Sequence, residues 1–231
     1  MIFVSVWKRS GLWGLVLMGV VGALLVPGCR NSGGNEDVKV RLINAVPEPG
    51  GLNVSVDGQR VWKRSQFRSS TGYQTISSGT YPLRVDAADL GATLLVQPLT
   101  FGKDREYTVL ALGQIHGGGK PAEVRVLEDV PADQPAAGKV SVRLVNAALD
   151  VGAIDLVVNN IDAIPAVGYG RRSEALTLDA GPYDLKIAAT TAPDTLTDPV
   201  HLVLEPGRTY TLIAMGRADS PSLSLEAYPD R

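Results

Sequence analysis

The sequence predicts an all-β chain of two tandem antiparallel sandwich domains behind a leader, on three observations. Residues 38–45 (VKVRLINA) recur 102 positions later as residues 140–147 (VSVRLVNA), with six of eight positions identical. A phrase repeated at that spacing marks the first strand of each of two copies of one module. Twenty-five glycines and 15 prolines in 231 residues suit short strands and turns better than helices. Short runs alternate apolar and polar residues, whereas no run of ten or more holds a helical period.

The leader comes first. Lys8 and Arg9 precede residues 11–26, which carry no charge, and Pro27, Gly28 and Cys29 close the run before a polar stretch. This is the pattern of a signal peptide over residues 1–28, and the 16 uncharged residues fall short of the ~20 that a spanning helix needs. Cys29 is the sole cysteine, so no intramolecular disulfide can form. Residues 25–29 (LVPGC) resemble a bacterial lipobox, which makes Cys29 the expected lipidation site and its acyl chains the expected link to a membrane. Arg30, directly behind the cysteine, leans that expectation to the outer membrane. The lipidated N-terminus and tether occupy residues 29–37, and the eight polar residues after Cys29 reach about 26 Å when extended at ~3.3 Å per residue.

The first copy is read as residues 38–130. Val38, Val40 and Leu42 alternate with Lys39, Arg41 and Ile43, a half-buried strand by period. Residues 44–51 hold two prolines and two glycines and form a loop. Residues 52–58 (LNVSVDG) alternate again and end in Asp57-Gly58, a hairpin signal that turns the next strand, within residues 60–67, back beside it. A turn at residues 77–80 leads into a strand at 81–85, and further strands are expected at 93–101, 106–112 and 123–127. Strands this short, with turn signals every eight to twelve residues, describe an immunoglobulin-like antiparallel β-sandwich. Residues 131–138 form a linker stiffened by two prolines. The second copy, 139–231, repeats residues 79–85 at 181–187 and residues 105–113 at 208–216, so the copies match on strands and differ in loops. Each copy is expected to fold alone.

These phrases together resemble the bacterial envelope family known as domain of unknown function 4397: the Val-Arg-Leu-x-Asn-Ala opening, residues 52–58, the Gly-x-Tyr turn and the closing Tyr-Thr-x-x-Ala-x-Gly. The resemblance covers nearly all of residues 38–231 as two copies, although the opening often has His in the family where this chain has Asn44 and Asn146. It implies a secreted or lipid-anchored β-sandwich with no assigned activity.

Chemistry is sparse. The formal charge of −2 becomes −4 once Lys8 and Arg9 leave with the leader, 20 basic residues against 24 acidic, the wrong sign for nucleic acid. His116 and His201 lie in different copies, and no Gly-x-Ser-x-Gly accompanies them, so no nucleophile–base pair and no zinc set is expected. The pairs Asp86/Asp89 and Asp194/Asp198 lack calcium-loop order. Residues 117–120 (GGGK) look like a phosphate loop, but Pro121 stands where Ser or Thr is required. No enzyme activity, cofactor or metal is expected. Trp62, Lys63, Arg64, Phe67 and Arg68 form one candidate binding patch for an envelope glycan or protein, with core packing of Trp62 as the rival reading. Residues 116–120 in copy one, and residues 169–172 in copy two with Tyr169 and Arg171 foremost, are further loop candidates.

Overall fold

The computed structural model describes residues 37–48, 50–117, 119–129, 135–192 and 195–230. The leader, Cys29 and the tether up to Glu36 lie outside the described residues, as do residue 130 and residues 131–134 of the linker. Both copies belong to one compact unit, Asn35–Arg231.

Among the described residues there are sixteen strands and no helix: β1 (Asp37–Asn44), β2 (Leu52–Val56), β3 (Gln59–Ser65), β4 (Gln74–Ser77), β5 (Gly79–Ala87), β6 (Thr93–Phe101), β7 (Glu106–Leu112), β8 (Glu123–Glu128), β9 (Lys139–Leu149), β10 (Ile154–Val158), β11 (Ile161–Val167), β12 (Leu176–Asp179), β13 (Gly181–Ala189), β14 (Val200–Leu204), β15 (Thr209–Arg217) and β16 (Ser224–Pro229). Copy one stacks sheet β4-β1-β7-β8 on sheet β3-β2-β5-β6, and copy two repeats this order as β12-β9-β15-β16 on β11-β10-β13-β14. Between each pair of sheets lies a core: Val40, Leu42, Val54, Leu83, Phe101 and Val109 in copy one, Val142, Leu144, Leu156, Leu185 and Leu212 in copy two. Inward residues of two facing sheets interlock in this way in sandwiches.

Two features differ from the sequence reading. The sheets are mixed: β1 pairs with β7, and β9 with β15, in parallel, while the other strand pairs run antiparallel. No hairpin joins β1 to β7, and five strands intervene, so no turn imposes opposite directions. Strands β4 and β12, four residues each, were not expected. They end one residue before β5 and β13, where the chain crosses from one sheet to the other at Gly79 (φ +150°) and Gly181 (φ +154°). That crossing occupies the expected turn, and glycine supplies the backbone angle that it needs.

The largest correction concerns β1. The sequence predicts a half-buried strand, but Arg41 and Ile43 are as buried as Leu42. The outer faces of sheets β4-β1-β7-β8 and β12-β9-β15-β16 meet in a third core of Ile43, Ala45, Leu110 and Leu112 from copy one and Val145, Ala147, Ile213 and Met215 from copy two, capped by Tyr228. The eight named first are four pairs of equivalent positions, the geometry of an isologous contact between two subunits. The repeated phrase is therefore packed on both of its faces.

Candidate functional site

The sequence-predicted residues of copy one start on β3, whose inward positions are Trp62 and Ser65, three apart. Strict alternation would point Arg64 the same way as Trp62. A register shift opposite Val54 and a left-handed Arg64 (φ +47°) make a bulge that turns Arg64 out, and Ala166 (φ +55°) does the same in β11. Trp62 is consequently 5% exposed and belongs to the copy-one core, so it is not the surface anchor considered above. Lys63 and Arg64 stay in solvent, and Arg64 pairs with Asp89 at 2.7 Å. Phe67 packs against the core between the copies, and Arg68 lies over its ring at 5.1 Å while donating to the Ser222 carbonyl at 2.8 Å. The five side chains thus point to three different places rather than forming one patch.

Tyr169 and Arg171 also diverge. Tyr169 is half-buried at the joint between the copies, with the Lys120 ammonium 4.1 Å from its ring centre. Burial pushes its hydroxyl up to about 12, and the hydroxyl oxygen has no hydrogen-bond partner among the described residues. Arg171 is exposed and borders an open cleft of about 430 Å³ between the bulged end of β11 and the loop into β12. His116 is exposed and lines a smaller cavity, about 250 Å³, at the loop end of copy one. His201 is exposed on β14 beside Asp184. No cluster of three or more His, Cys, Asp or Glu suited to a metal occurs among the described residues.

Of the ionisable residues that converge in the joint, only Arg172 lay among the sequence candidates, and the alternation of the first strand put Arg41 on a solvent face. Arg41 donates from Nε to Thr108 Oγ1 (2.7 Å), from Nη1 to the Pro229 carbonyl (2.7 Å) and from Nη2 to Asp230 Oδ1 (2.5 Å). Thr108 and Tyr73 both donate to Asp129 Oδ2, at 2.7 and 2.9 Å, and Thr211 donates to Asp230. Arg172 donates to the Glu128 carbonyl at 2.7 Å, the position in copy one that corresponds to Pro229 in copy two. Arg143, equivalent to Arg41, is 6% exposed, and its Nη1 has no hydrogen-bond partner among the described residues. Burial raises Asp129 to about 6, outweighing the Arg41 charge, and burial raises Asp230 as well. An open hollow of about 320 Å³ is bordered by three members of this network, of which Arg41 and Asp230 are each 3% exposed and Tyr73 is half-buried. Its buried bonds from Arg41 to Pro229 and Asp230 tie the copies together.

The only sequence signal for this network was Arg41 and Arg143 recurring within the repeated phrase, together with two buried amides beside them. Asn44 donates to the Ser65 carbonyl and accepts from the Val46 amide, and Asn146 makes the same two bonds with Val167 and Ala148. These positions pin the end of β3 or β11 to the first strand.

No curated protein sequence matches the chain. Among solved structures, a family CBM26 carbohydrate-binding module from Eubacterium rectale, crystallised with maltoheptaose, shares 14% identity at a TM-score of 0.28 over 84% of this chain and 97% of that one. A score that low carries no argument about fold or ligand. The profile of the domain of unknown function DUF4397 matches residues 38–157 and 150–231. The chain therefore belongs to the DUF4397 family, carried in two tandem copies.

Proposed function

We propose that this chain is a lipid-anchored protein of the bacterial cell envelope, held by acylated Cys29, in which two fused non-catalytic sandwiches serve a structural or binding role. One observation supports the non-catalytic part: among the described residues the charged groups linked most closely, Arg41, Asp129 and Asp230, lie buried in the joint, where Arg41 holds the copies together. An active site needs such groups in an accessible cleft. The anchor is supported by the sole cysteine closing an uncharged run of 16 residues, with a polar stretch behind it, and Arg30 leans the placement to the outer membrane. The expected outcome is that the chain expressed in a bacterium partitions into detergent, and that Cys29→Ala moves it to the aqueous phase or leaves the precursor unprocessed. A mature N-terminus at another residue sinks the proposal.

A second reading, an adhesion module that binds an envelope glycan or protein, is favoured by the cleft beside Arg171. Binding would then sit on loops held by rigid sheets. Arg171→Ala should weaken retention of the chain on isolated envelope material while leaving its unfolding transition unchanged.

A further inference from the structure

We infer that the two copies share one membrane-facing end: the strand starts at Asp37 and Lys139 face the lipid surface, and loops of both copies at the opposite end face away from it. Equivalent residues meet across the joint at three heights. At the strand starts Arg41 lies between the equivalent carboxylates Asp129 and Asp230, 3.8 and 2.5 Å away. Midway, Ile43, Ala45, Leu110 and Leu112 share a core with Val145, Ala147, Ile213 and Met215. At the strand ends Arg217 bonds Gln114, its own counterpart, since each follows the glycine that closes the repeated Tyr-Thr phrase. A twofold relation that joins like levels at both ends has its axis along the strands, so β1 and β9 run the same way.

The two ends are therefore unlike. One holds Asp37, Lys139 and the turns after β2, β6, β10 and β14. The other gathers the loops after β1, β5 and β7 with their counterparts after β9, β13 and β15. Cys29 is joined to Asp37 by eight residues, which reach at most about 26 Å at ~3.3 Å per residue. Lys139 pairs with Asp179 as Asp37 pairs with Ser77, so β9 starts at the level of Asp37. Its eleven residues span about 36 Å at ~3.3 Å each. The tether is shorter than the strand, so the far loops cannot touch the lipid while Asp37 points away from it. At the near end Lys103, Asp104, Arg105, Glu205 and Arg208 are exposed and charged, which suits contact with polar headgroups rather than insertion. A partner on the other side meets loops of both copies at once.

This inference rests on the lipid anchor proposed above, and its experiment separates the two. The full chain, purified from bacterial membranes, is reconstituted in vesicles of phosphatidylethanolamine and phosphatidylglycerol that carry a headgroup nitroxide, and a fluorophore is attached to one introduced cysteine at a time. Acylation consumes the thiol of Cys29, the sole native cysteine, so only the introduced one takes the label. Labels at Lys103→Cys and Pro206→Cys, in the equivalent turns before β7 and β15, should be quenched several-fold more strongly than labels at Leu90→Cys and Asp219→Cys among the far loops. All four residues are exposed, and each end is read once in each copy, so a variant that fails to fold leaves the other to report that end. Equal quenching at the two ends, or stronger quenching at Leu90→Cys and Asp219→Cys, overturns the inference and leaves the anchor standing. A chain that does not float with the vesicles, or that takes the label at Cys29 without any substitution, overturns the anchor and this inference with it.

Discussion

Arg41 and Arg143 occupy the same place in the repeated phrase, both on the outer face of the first strand and both buried, yet their surroundings differ. Arg41 reaches Thr108, the Pro229 carbonyl and Asp230, while Arg143 leaves Nη1 without a partner among the described residues. Likewise Glu48 Oε2 has no hydrogen-bond partner among the described residues, whereas its counterpart Asp150 pairs with Arg217. The apolar positions of the two copies show no such divergence, since Leu42 and Leu144, or Ile43 and Val145, are equally buried. Packing must be met in each copy separately, because a void costs energy wherever it lies. A polar network across a twofold-like joint need be completed only once, so equivalent residues are free to take unequal shares.

The comparison is tested most severely by separating the copies. We propose that residues 38–130 and 139–231 each fold, since each has its own core, but that each then exposes Ile43, Leu110 and Leu112, or Val145, Ile213 and Met215. Mixed in solution, the two fragments should form a one-to-one complex in sedimentation. Two fragments that fold and ignore each other would break the idea that the joint binds.

Next in size is Asp230→Ala, which strips Arg41 and Thr211 of an acceptor in a buried site. Breaking such a pair costs about 3–5 kcal/mol, to be read from denaturant unfolding of the whole chain.

Acidity gives the third test. The Asp129 carboxyl is raised from 3.8 to about 6, so between those values the folded chain holds a proton that the unfolded chain has released. Its contribution is therefore most favourable below about pH 4, is lost as pH rises to about 6 and is constant above that, a change on the order of 3 kcal/mol. Asp230 is raised too and acts in the same direction. Asp129→Asn should flatten this part of the stability profile, and an unchanged slope would show that the carboxylate is not the group responsible.

The smallest effect is expected at Arg143→Met, which keeps much of the side-chain volume and removes a buried charge whose Nη1 has no partner. Replacing poorly paired buried charge by apolar volume is often neutral or stabilising, so the change should stay within about 1 kcal/mol or favour folding. A loss as large as that of Asp230→Ala would mean that Arg143 is as firmly engaged as Arg41.

The sequence alone was enough for the duplication, for most strands and for the loops between them, because alternation and turn residues are local signals. Residues 52–58, for example, formed the hairpin that Asp57-Gly58 demanded, with Val54 opposite Trp62 across the turn. Tertiary structure decided which faces are covered. Arg41 reads as a solvent residue by alternation, and its burial is made tolerable by Thr108 of its own copy together with Asp230, just past the last strand of copy two. Trp62 went inward because a bulge at Arg64 shifted the phase of β3 by one residue, which no glycine announced. The parallel pairing of β1 with β7 and the cavity at Glu48 likewise depend on segments distant in the chain. Period describes how a strand differs between its two faces. It cannot say that a second copy of the same strand will cover the polar one.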